Sequence, residues 1–133
     1  MKDILKLIKQ ARFIFICGNG GSASTAEHFT NDLFDKGFKA ICLNSNTSIM
    51  TMIANDYSYD QVFGRQLKTY ASSKDLLITI SCSGTSPNIV EAIFVAKYKG
   101  FPFYQFETFG KEEDYGLLED KHLKFIHQIV KTL

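Results

Sequence analysis

The sequence predicts an α/β domain in which helices cover both faces of a parallel sheet. Three observations predict it. Four short apolar runs read as strands, helical stretches separate them, and two of the runs end directly in Ser/Gly-rich loops that open helices. Such alternation builds βαβ units with right-handed crossovers. At 133 residues the chain forms one domain, large enough to bury a core.

In residues 2–10, Ile4, Leu5, Leu7 and Ile8 fall on one helical stripe, and Arg12 to Cys17 is then an apolar strand ending in glycines. Ser22 or Ser24 is expected to cap a helix that runs to about Lys36 and stops at Gly37. Lys39 to Leu43 reads as a second strand. Residues 47–71 are helical with a break near Asn55-Asp56-Tyr57, and Asp75 to Ser81 is a third strand. Pro87 at a favoured first turn starts a helix that continues to about Lys99. Phe101 to Thr108 is expected as a fourth strand, with Pro102 counting against it, and a last helix runs from about Leu117 to the end.

Fifteen basic against fourteen acidic side chains leave a net charge of +1. No basic cluster is interleaved with aromatics, so neither nucleic acid nor anionic membrane is an expected partner. No apolar run approaches a membrane span and residues 1–11 lack a signal-peptide core, which makes a cytoplasmic location the default expectation. Cys17, Cys42 and Cys82 show no CxxC spacing and read as reduced structural residues. The expected partner is a small molecule.

In a parallel sheet ligands bind outside the carboxyl ends of the strands. Both Ser/Gly loops lie there, so they are expected to share one edge and face one ligand. Gly18-Asn-Gly-Gly-Ser22 can bring backbone N–H groups to an anion at a helix N-terminus. A dinucleotide fingerprint would require an acidic residue after the second strand, where Asn44-Ser45 stand, and there is no P-loop lysine. Ser81-Cys-Ser-Gly-Thr-Ser86 offers four hydroxyls before a helix start, which suits a phosphate monoester. An ordinary Ser-rich loop with a helix cap is the plain alternative.

His28 and Asp32 share a helix face at i, i+4, a spacing open to metal binding, to acid–base work or to a surface contact. The last helix carries Glu119, His122 and His127. Glu119 and His127 are about two turns apart, ~12 Å along the axis and ~80° around it.

Several long motifs in order resemble the phosphoheptose isomerases of the sugar isomerase (SIS) domain superfamily. They are Gly18-Asn-Gly-Gly-Ser-Ala with Ala26-Glu-His-Phe29, Leu43-Asn-Ser-Asn-Thr-Ser-Ile49, Ile53-Ala-Asn-Asp-Tyr57, Val62-Phe-Gly-Arg-Gln66, Ile80-Ser-Cys-Ser-Gly-Thr-Ser-Pro-Asn-Ile89 and Glu119 to His127. The resemblance implies a three-layer, flavodoxin-like parallel sheet flanked by helices, shortened at the N-terminus and before the last helix, where the region between Thr108 and Leu117 omits a strand. It also implies conversion of sedoheptulose 7-phosphate to an aldose 7-phosphate through an enediol. Carried over by position, Asn19, Gly20, Gly21, Ser22, Asn55, Asp56 and Glu119 face the substrate, and Ser81, Cys82, Ser83 and Ser86 hold its phosphate. Zinc falls on His28, Asp32, Glu119 and His127, with Asp32 and His127 as the catalytic pair. The implied assembly is a homo-oligomer, dimer or tetramer, with active sites between subunits.

Two positions depart from the family pattern, which has glutamate at Asp32 and glutamine at Glu119. The shorter carboxylate draws back by roughly 1.5 Å, and about 1 Å of misplacement can cost ~100-fold in rate. A non-catalytic sugar-phosphate-binding or protein-interaction module is therefore the competing expectation.

Overall fold

A computed structural model describes residues 1–108 and 114–133. In chain order the elements are α1 (Lys2–Gln10), β1 (Ile14–Gly18), α2 (Gly21–Asp35), β2 (Ala40–Cys42), α3 (Thr47–Asp56), a 3₁₀ turn (Tyr59–Gln61), α4 (Gly64–Tyr70), β3 (Leu76–Ile80), α5 (Pro87–Lys99), β4 (Phe103–Gln105) and α6 (Tyr115–Thr132). All strand pairs are parallel and the order is β2-β1-β3-β4. That is the first four strands of the doubly wound flavodoxin-like order. The expected loss of a strand before the last helix falls partly on residues 109–113, outside the described residues.

The period of two along each strand divides the core into two halves. Ile14, Ile16, Leu76, Ile78 and Ile80 face one side and pack on Ile4 and Ile8 of α1, Ala26, Phe29 and Leu33 of α2, and Ile126 and Ile129 of α6. Phe15, Cys17 and Leu77 face the other side, against Ile53, Val62, Phe63, Leu67, Ile89, Ala92, Val95 and Ala96. Among the described residues no helix is long and apolar enough to cross a membrane. Cys17, Cys42 and Cys82 are free and buried, as expected of structural thiols.

Three local expectations are corrected. Neither Ser22 nor Ser24 caps α2, because Gly20, at φ +56°, takes the N-cap place. There the Ser22 N–H already turns back to the Asn19 carbonyl at 3.0 Å. The fourth strand is three residues long, not eight. Pro102 has no N–H to give and only its carbonyl joins the ladder, accepting from Leu77 N at 3.0 Å, and after Phe106 donates to the Thr79 carbonyl the chain leaves the edge. Asp114 caps the last helix through Gly116 N, so that helix starts at Tyr115.

At the opposite end of the sheet, the fully buried Asp75 carboxylate joins the starts of β1 and β3. It accepts from Arg12 Nε and Nη2 at 3.0 Å, Phe13 N at 3.1 Å, Ser72 N at 2.6 Å and Ser72 Oγ at 3.1 Å. Burial pushes its pKa up, but the hydrogen bonds from Arg12 and Ser72 outweigh burial and hold it below its ordinary value. The stabilisation is complete above the unfolded carboxylate pKa, about 3.9, and is lost as pH falls through the lower folded value. We expect Asp75→Ala to cost about 2–4 kcal/mol, since it strands two backbone donors. Urea titrations at neutral pH and at about pH 3 check this: the difference between wild type and variant should shrink in acid.

Candidate active site

The parallel sheet sends both Ser/Gly loops to one edge, and glycine lets them meet there. A Cβ at Gly18 would lie 2.6 Å from the Ser22 carbonyl oxygen and 2.8 Å from that of Ile80. Both obstacles are backbone, so only glycine fits. Asn44 brackets the same residue, donating from Nδ2 to the Gly18 carbonyl at 2.8 Å and accepting from Gly18 N at 3.2 Å. The polar residue that spoils a dinucleotide fingerprint therefore extends the sheet's hydrogen bonding past the end of β2.

Between the loops lies a cavity of about 110 Å³ lined by Asn19, Ser22, Ser81, Cys82, Ser83, Ser86, Tyr115 and Glu119. Seven of these eight are positions expected to bind substrate, and the eighth, Tyr115, had no signal in the sequence. Ser81 Oγ accepts from Gly84 N at 3.0 Å and Ser83 Oγ from Thr85 N at 3.2 Å, which shapes the second loop. Ser86 stands at the N-cap of α5 without spending its side chain on the cap. Hydroxyls and the positive end of α5 therefore face the same space. Burial pushes the Cys82 thiol up, and the Glu119 carboxylate adds to that, while a hydrogen bond with Ser22 partly offsets it. Cys82 thus stays a neutral wall residue.

Glu119 comes from the first half of α6. Its carboxyl carbon would be 2.6 Å from a Cβ at Gly21, so the carboxylate rests where that glycine lacks a side chain, at the N-terminal end of α2. Gly20 and Gly21 serve this backbone and are not among the described residues that line this cavity. Asn55 and Asp56 are exposed at the end of α3, bonded Nδ2 to Oδ1 at 2.9 Å, and do not line the cavity of their own chain.

About two turns further along α2, and two turns further along α6, His28, Asp32 and His127 gather. His28 Nε2 is 3.4 Å from Asp32 Oδ2 and 3.2 Å from His127 Nε2, and one ligand atom of each lies within 4.8 Å of the others. Donor atoms 2.0–2.1 Å from a tetrahedral ion sit roughly 3.3 Å apart, which both His28 distances match, and two imidazoles with a carboxylate are a donor set that suits zinc. Glu119 is outside this cluster, contrary to the four-ligand expectation. His122, on another face of α6, is buried and joins Nε2 to the Glu107 carbonyl at 2.7 Å. It is a structural histidine.

The SIS domain family model matches residues 2–104. A phosphoheptose isomerase from Campylobacter concisus is 35% identical, over 95% of this chain and 77% of that protein. The chain belongs to the phosphoheptose isomerase family of SIS domains. A second relative, the phosphoheptose isomerase of Aliarcobacter butzleri, is 44% identical over 74% of this chain and 56% of its own length. The chain spans about half the length of several such relatives. The solved structure of the phosphoheptose isomerase from Neisseria gonorrhoeae superposes with a TM-score of 0.91 at 27% identity, over 98% of this chain and 80% of that one.

Gly18→Ala tests the closure of the two loops. It should cost about 3 kcal/mol or more, because the added methyl meets backbone on two sides. Chemical denaturation reads the loss, and a cost under about 1 kcal/mol would show that the loops part easily.

Proposed function

We propose that the chain is a phosphosugar aldose–ketose isomerase that converts sedoheptulose 7-phosphate to D-glycero-D-manno-heptose 7-phosphate through an enediol. The observation that carries this reading is that the same two helices, α2 and α6, supply both a hydroxyl-lined cavity and a His–Asp–His cluster. Ser81, Ser83 and Ser86 and the α5 N-terminus hold the phosphate, remote from the reacting carbons, and so supply orientation. Cys82 closes the wall behind it. Asn19, Ser22 and Glu119 face the sugar, on a backbone turned by Gly20 and Gly21.

Asp32 takes the proton from the carbon beside the carbonyl, and His127 delivers a proton to the neighbouring oxygen or carbon. Loop N–H groups face the developing oxyanion. Zinc is the ion we assign to His28, Asp32 and His127; when bound it supplies Lewis-acid stabilisation of that oxyanion. Glu119 lies toward the sugar and serves the ion only if its side chain swings off Gly21.

We further propose that residues 1–133 form a single SIS domain, since α6 packs on α2 and completes both halves of the site. We propose also a homo-oligomer, dimer or tetramer, with sites between subunits. Asn55 and Asp56 are exposed and do not line their own chain's cavity, which supports a role in a neighbour's site. The exposed stripe Val90, Phe94 and Tyr98 on α5 offers apolar surface for assembly. A phosphorylated intermediary metabolite as substrate agrees with a cytoplasmic location.

The short Asp32 side chain favours a second reading, a phosphosugar-binding module without turnover. Turnover of sedoheptulose 7-phosphate with zinc present separates the two. The isomerase reading expects turnover, a loss on chelation, and a fall in kcat of about 10²–10⁴-fold in Asp32→Asn with binding retained. Asp32→Glu should hold or raise the rate. Binding without turnover in the wild type would overturn the isomerase reading.

A further inference from the structure

Asn88 is 2% exposed in the first turn of α5, immediately after the Ser-rich loop. Its amide faces that of Asn19, 69 positions earlier: Asn19 Nδ2 donates to Asn88 Oδ1, and Asn88 Nδ2 donates to Asn19 Oδ1, both at 2.8 Å. Tyr59 OH adds a second donor to Asn19 Oδ1 at 3.2 Å. A side-chain amide has two N–H donors and one oxygen with two lone pairs. The oxygen of Asn19 is thus fully used and one of its two N–H groups is engaged. What remains on the Asn19 side chain is a single N–H, on a residue that lines the cavity.

We propose that Asn88 is a positioning residue: it locks the Asn19 amide as a donor toward the sugar, so that Asn19 reads an acceptor oxygen, carbonyl or hydroxyl, on the carbon chain of a phosphosugar. This rests on the reading of the cavity as a phosphosugar site. It extends that reading by tying the sugar-facing loop to the helix whose N-terminus faces the phosphate, so the two ends of the ligand are gauged by one rigid contact. A free asparagine would rotate and could offer either its oxygen or its nitrogen; the reciprocal pair removes that choice.

Calorimetric titration with two probes, sedoheptulose 7-phosphate and inorganic phosphate, tests it. Asn88→Leu, close in volume, should weaken the sugar phosphate about tenfold, the worth of one hydrogen bond, and leave inorganic phosphate within about twofold. Asn19→Ala should give the same split, and the double variant should be no worse than either single one. Tyr59→Phe removes only the hydroxyl of an exposed ring and serves if Asn88→Leu does not fold; it should weaken the sugar phosphate about threefold and spare phosphate. Equal losses for both probes, additive losses in the double variant, or an indifferent Tyr59→Phe where Asn88→Leu does not fold, would overturn the proposal. A wild type that binds the sugar phosphate without turning it over defeats the isomerase reading and leaves this comparison readable. A wild type that binds phosphate but not the sugar phosphate overturns both.

Discussion

At Gly18 the backbone leaving β1 passes between the carbonyls of Ser22 and Ile80 with no room for a side chain. This close approach is the constraint on which the rest of the site depends. It sets the first loop against the end of β3, and so against the second loop that follows. The bracket from Asn44 holds the residue there with two hydrogen bonds, and the Asn19–Asn88 pair repeats the contact one residue further out. Parallel topology alone would bring the loops to one edge, but these contacts make them two walls of one cavity.

The electrostatics follow from that wall. Among the described residues, those that line the cavity include four serines and neither lysine nor arginine. An anion there would be met by serine hydroxyls and the α5 N-terminus, a mode that relies on fixed dipoles rather than on mobile charge. The α2 N-terminus is already taken by the Glu119 carboxylate resting on Gly21. On the proposed reading the two helix starts are thereby divided, one for the protein's own carboxylate and one for the ligand's phosphate. Helix α6 makes that division possible, since Glu119 near its start and His127 two turns on meet the two ends of the same face of α2.

Much of this was legible in the sequence, for identifiable reasons. Short apolar runs between helical stretches dictate the sheet, and strand-end loops dictate the edge, so the sequence already places Ser22, Ser81, Ser83 and Ser86 together. The His28–Asp32 pair follows from i, i+4 geometry, whereas His127 joined it only through the family resemblance. What was not legible depends on partners distant in the chain. Nothing around Asn88 distinguishes it from a surface asparagine, because its partner is 69 positions away. Tyr115 reaches the cavity only because Asp114 starts α6 earlier than the apolar pattern suggested. Glu119 was expected with the histidines, yet the space left by Gly21 draws it to the other half of the site. The serine expected to cap α2 lines the cavity instead, since a glycine with positive φ already makes the turn.

The central claim is that the hydroxyl-lined cavity and the His–Asp–His cluster are one site. Following deuterium uptake from D₂O into sedoheptulose 7-phosphate by NMR, with zinc present, tests it most directly. The account predicts uptake at C1 of the ketose and at C2 of the aldose formed from it, suppressed competitively by inorganic phosphate, because phosphate occupies the cavity from which the sugar must extend to Asp32 and His127. Uptake indifferent to phosphate, or a bound sugar phosphate with no uptake, would contradict it.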